Sequence, residues 1–87
     1  MTSNLRLPSP VQMAAARAML GLTQIDLSER AGVALTTVKR MEAGRASLTD
    51  FPNVRLSSLQ RLLSFYESAG IEFLYGPDST GVSLKKV

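Results

Sequence analysis

The sequence predicts a mainly α domain of four helices closed by a short C-terminal β-hairpin. Three observations carry that expectation. Apolar residues recur at helical spacing in four successive stretches. Glycines punctuate those stretches at Gly21, Gly32, Gly44 and Gly70. Beyond Gly70 the composition shifts to a β-forming run, Ile71 to Tyr75, a turn cluster from Gly76 to Gly81, and a second arm, Val82 to Val87. With 87 residues, 45% of them hydrophobic, the chain has room for one ordered domain.

The elements follow in order. Residues 1–9 read as a flexible arm, 10–70 as the helical domain and 71–87 as the hairpin. Ser9 is a good N-cap and Pro10 suits a first helical position. Val11, Ala14, Ala15, Ala18, Met19 and Leu22 then form one apolar stripe. Thr23 caps a short helix, Gln24 to Ala31, with Leu27 and Ala31 inward. Gly32 supplies a positive φ, which places Val33 in a buried turn. Leu35 to Ala43 forms a third helix with Val38 and Met41 inward, stopped by Gly44. Arg45 to Val54 is rich in turn formers and reads as a loop. Leu59, Leu62, Leu63 and Tyr66 mark a fourth helix, Leu56 to Ala69.

Composition excludes several chemistries. The chain has neither Cys nor His, which removes disulfides, the common zinc sites and His-based acid–base catalysis. The carboxylates are scattered singly and no glycine-rich phosphate loop occurs. No enzyme activity, cofactor or metal is expected. No apolar run reaches the roughly 18 residues of a membrane span. Met1 to Pro10 carries only Arg6 and does not read as a signal peptide, so the expected location is cytoplasmic. The net charge is +3. Residues 34–61 hold Lys39, Arg40, Arg45, Arg55 and Arg61 against Glu42 and Asp50, an excess as large as that of the whole chain. Such a segment is either a solvated face or a surface for a polyanion.

The stretch LTQIDLSERAGVALTTVKRMEAG, Leu22 to Gly44, decides between those readings. Two short helices flank a tight Gly-containing turn. Thr23-Gln24, Leu27, Ala31-Gly32-Val33, Val38 and Glu42-Ala43-Gly44 sit at the spacing of the Cro-like (phage-repressor, or XRE) helix-turn-helix family. The chain resembles that family over roughly 11–70. The resemblance implies a lambda-repressor-like fold and sequence-specific binding of double-stranded DNA as a small transcriptional regulator, a repressor by preference. In that mode the second helix of the motif lies in the major groove, where base edges present a distinct donor and acceptor pattern.

The resemblance also assigns roles. Leu35, Thr36 and Arg40 take the principal base-reading positions, with Thr37 and Lys39 as neighbours that touch bases or phosphate. Arg40 could donate twice to guanine, while Leu35 and the Thr36 methyl could meet thymine methyls. A phosphate contact for Arg40, and packing on the protein for Leu35, remain open. Thr23 and Gln24 fall at the phosphate-positioning start of the first motif helix. Arg45 and Arg55, in a loop longer than the family's, could lie along the DNA backbone. Arg17 and Glu42 match a structural pair that ties the first helix to the end of the third.

Two departures stand out. Ala34 occupies an N-cap position where the family places Ser or Thr, and the hairpin replaces a fifth helix. A lone two-stranded hairpin is marginal in water. It must cover the helices of its own domain or pair with another chain, and the homodimer is the favoured expectation. The rival function is an antitoxin that also masks a toxin protein. The sequence lacks a long disordered tail suited to wrapping such a partner, and a toxin gene next door would separate the two.

Overall fold

The structure is a computed structural model that describes residues 7–43, 55–76 and 80–85. Among them are helices α1 (Pro10–Met19), α2 (Gln24–Ala31), α3 (Leu35–Ala43) and α4 (Leu56–Ser68), then strands β1 (Ile71–Tyr75) and β2 (Thr80–Leu84). The strands form one antiparallel pair in which Phe73 faces Val82 and Leu74 faces Gly81. Gly44, the loop 45–54 and residues 1–6 of the expected arm lie outside the described residues. Pro8 is buried and Ser9 caps α1, so ordered packing begins before Pro10.

Local chemistry fixes where each helix starts. Ser9 Oγ accepts from the Gln12 N–H at 3.2 Å while Gln12 Oε1 accepts from the Ser9 N–H at 2.9 Å. Thr23 and Asp26 form the same reciprocal box at the head of α2, both contacts at 3.0 Å. Each box satisfies amides that the first helical turn leaves without partners. Ala34 has no side-chain oxygen to do this for α3. Its carbonyl accepts from Thr37 and Val38.

The expected apolar stripe of α1 is not its buried face. Val11 is 67% exposed, and Ala18 and Met19 also face solvent. The inward face carries Met13 and Ala16, with Gln12 beside them. Alanine methyls contribute little on burial, so bulky Met13 and the polar reach of Gln12 set the rotation of the helix. Met13 lies against Tyr66, whose hydroxyl donates to the Met13 carbonyl at 3.2 Å. Leu27, Val33, Val38, Met41, Leu59, Leu62 and Ile71 complete the core.

The hairpin lies on the helices. Ile71 is buried, and the Phe73 ring meets Tyr66 edge-on, centroids 5.9 Å apart. Gln12 Nε2 donates to the carbonyls of Leu74 at 3.0 Å and Gly81 at 2.9 Å, one from each strand. Gly70, at φ +93°, turns the chain from α4 into β1, and a Cβ there would stand 3.0 Å from the Lys85 carbonyl. The second arm begins at Thr80, two residues before the expected Val82, because pairing with Tyr75 starts directly after the turn.

Candidate nucleic-acid interface

The α2–α3 unit is built from its turn outward. Gly32 closes α2 in the left-handed region, at φ 69° and ψ 38°, which a residue with a Cβ resists. The Ser28 carbonyl accepts from both Gly32 and Val33 at 3.1 Å, and Ser28 Oγ donates to the Val33 carbonyl at 2.6 Å. With Val33 buried beside Leu27 and Val38, this turn fixes the direction in which α3 leaves α2.

A polar clasp holds the far end of α3. Arg17 on α1 reaches Glu42 through Nε to Oε2 at 2.8 Å and Nη2 to Oε1 at 2.9 Å, and its Nη1 donates to the Leu22 carbonyl at 2.9 Å. The Gln24 amide on α2 donates to Glu42 Oε1 at 3.1 Å. Three helices thus converge on one carboxylate. The two-pronged geometry suits a guanidinium better than an ammonium, and the bond to Glu42 raises the Arg17 pKa above its ordinary value. At the head of α2, hydrogen bonds from the Thr23 backbone and side chain hold Asp26 below the usual carboxylate range.

These contacts leave one arc of α3 open. Thr36, Lys39, Arg40 and Ala43 are exposed, opposite buried Val38 and Met41. At 100° per residue, Leu35 and Thr37 fall on the flanks of that arc, and both are half-buried rather than fully outward. Thr23 is exposed at the α2 cap and Gln24 is half-buried behind it. Arg55 is exposed at the N-cap of α4. Arg45 lies outside the described residues. The structure therefore gathers Thr36, Lys39 and Arg40 on one helix face and Arg17, Gln24 and Glu42 in one clasp. Arg55 belongs to neither.

Sequence reasoning gave no structural role to three residues: Gln12, which ties α1 to the hairpin, and Ser28 and Arg61, which hold the α2–α3 turn. Gln12 carried a readable signal, since Ser9-Pro10-Val11-Gln12 has capping-box spacing. Ser28 had none beyond being polar on a helix. Arg61 on α4 donates to the Gly32 carbonyl at 3.0 Å from 29 residues away, and no local pattern announces that contact.

Among the described residues no cluster of His, Cys, Asp or Glu could hold a metal, and no helix is long and apolar enough to cross a membrane. Residues 13–51 match a family model described as "Helix-turn-helix". No curated protein matches the chain.

Proposed function

We propose that the chain, whose residues 13–51 match a helix-turn-helix family model of the Cro/C1 type, is a sequence-specific transcriptional regulator, acting as a repressor. The family is one of DNA-binding transcription regulators. The observation that carries the reading is the exposed arc of α3, Thr36, Lys39 and Arg40, held by contacts at both ends of the helix. A helix presented this way offers hydroxyls, an ammonium and a guanidinium to base edges and phosphates. Leu35 adds an apolar flank for a thymine methyl. Thr23 and Gln24 lie where one DNA strand would pass the head of α2, and Arg55, exposed at the N-cap of α4, extends the basic surface. Such a protein works where the DNA is, in the cytoplasm.

A single unit of this size reads only a few base pairs, so the active form is a homodimer on half-sites about one helical turn, or roughly 34 Å, apart. Leu74, 44% exposed, and Leu84, 37% exposed, give the hairpin apolar surface for a two-fold contact. Selection from a random duplex library followed by a gel shift tests the function. The expected result is an enriched inverted repeat; no enrichment and no shift at low salt would overturn it. Sedimentation of a Leu74→Glu variant tests the dimer, which should dissociate if the hairpin carries the contact.

A further inference from the structure

The C-terminal half of α4 and one side of β1 enclose a cavity that DNA reading leaves unused. It measures about 300 Å³, at the lower end of the range that holds small organic ligands, and is lined by Pro8, Leu63, Glu67, Ile71, Phe73 and Tyr75. Strand alternation builds one wall. Ile71, Phe73 and Tyr75 stand on the same side of β1, buried or half-buried, while Glu72 and Leu74 are exposed on the other. Helical spacing builds the opposite wall, with Leu63 and Glu67 one turn apart on α4. Two aromatic rings thus share an apolar cavity with one carboxylate.

The charge of this cavity is opposite to that of the chain. The chain carries +3, yet no cation lines the cavity among the described residues. Glu67 is exposed at its edge and makes no ion pair with another described residue. It stands near the end of α4, where the helix dipole presents its negative pole and no basic residue in the last turn answers it. The helix end repels a carboxylate placed there, and a cation beside it removes that repulsion. The faces of Phe and Tyr rings also attract a cation. Apolar walls, two rings and one unanswered carboxylate converge on a single ligand chemistry, an ammonium group carried on a hydrophobic body.

We propose that this cavity binds a small organic cation of the arylalkylammonium type, with the ammonium at Glu67 and the apolar body between Leu63 and the rings of Phe73 and Tyr75. Such a ligand touches α4 and β1 at once and fastens the hairpin to the helical body. The site stands apart from the α3 reading surface, since none of its residues belongs to α2 or α3.

The test titrates phenethylammonium into the full chain at neutral pH and follows the amide shifts of Glu67, Ile71 and Phe73. Phenethyl alcohol, of similar shape without the charge, and hydrocinnamate, an anion, are the comparison probes at matched ionic strength. Glu67→Gln is compared with Glu72→Gln, which removes the acid on the opposite side of β1, and thermal melts check that both variants are folded. The expected result is saturable movement of all three amides by the ammonium at millimolar concentration, with a raised melting temperature. The alcohol binds more weakly and hydrocinnamate does not bind. Glu67→Gln weakens the ammonium by roughly fivefold, the upper range for an exposed ion pair, and Glu72→Gln leaves it unchanged. Amides unmoved by the ammonium, equal affinity for ammonium and alcohol, or wild-type affinity in Glu67→Gln would each overturn the proposal. So would movement of the same amides with rising protein concentration that blocks the titration, which would give the cavity to a second copy of the chain.

Discussion

Gln12 and Leu74, separated by 62 positions in the chain, are joined by a hydrogen bond of 3.0 Å from a side-chain amide to a backbone carbonyl. Gln12 is only 3% exposed, and it also serves Gly81 and Ser9. Replacing it with Met keeps the volume and removes the side-chain bonds to Leu74, Gly81 and the Ser9 N–H. Gln12→Met should lose roughly 1–3 kcal/mol, the penalty for leaving buried polar groups unpaired. Urea unfolding measures it, and an unchanged midpoint would show that the amide is dispensable.

Glu42 gathers contacts from Arg17 and Gln24 while its own side chain is almost fully buried. Glu42→Ala should destabilise by about 1–3 kcal/mol, below the range for a fully buried pair because the Arg17 side chain keeps 22% of its exposure. Wild-type thermal unfolding of this variant would mean that the clasp contributes nothing.

The depressed pKa of Asp26 links the head of α2 to pH. A carboxylate held low in the folded state contributes stability in full above its unfolded pKa and loses it as pH falls through the folded value. The stability gap between wild type and Asp26→Asn should therefore be constant near neutrality and shrink in acid. Paired melts from neutral to acid pH check this, and a gap that widened in acid would overturn it.

Ala34 precedes α3 without a capping oxygen. Ala34→Ser should add roughly 0.5–2 kcal/mol by accepting from an unpaired amide of the first turn. Calorimetry reads the gain; a fall in melting temperature would mean that the serine cannot reach that amide.

Arg40 and Gln24 should differ in kind. Arg40→Ala should cost roughly 1–3 kcal/mol on the preferred DNA site and relax preference at one or two positions. Gln24→Ala, which removes a brace on Glu42, should weaken preferred and random DNA evenly. Identical profiles across a site library would dissolve the distinction between reading and positioning.

Legibility in the sequence followed the range of the interactions. The limits of α2, α3 and β1 were readable because Thr23, Gly32 and Gly70 act on their immediate neighbours. The rotation of α1 was not. It depends on Tyr66 and on the carbonyls of Leu74 and Gly81, which no window of periodicity around Val11 contains. At the candidate interface, the resemblance of residues 22–44 to a known family put Leu35, Thr36, Thr37, Lys39 and Arg40 on the outward face of α3; Thr36, Lys39 and Arg40 are exposed there, while Leu35 and Thr37 are half-buried. The contribution of Arg61 was not legible, since it required knowing that α4 packs against the α2–α3 turn.

The Gln12 contacts also have a consequence for the order of events during synthesis. A chain emerging N-terminus first presents α1 to solvent long before Gly81 exists to receive its amide. Until the last strand is out, Gln12 must be served by water and Met13 lacks the shelter that Tyr66 and the hairpin give it. Contacts of such sequence separation form late and slow the final step of folding. The nascent domain should therefore pass through a loosely closed stage on the ribosome, in which the α2–α3 turn, made of near neighbours, is already formed while the opposite side of the core waits for the hairpin.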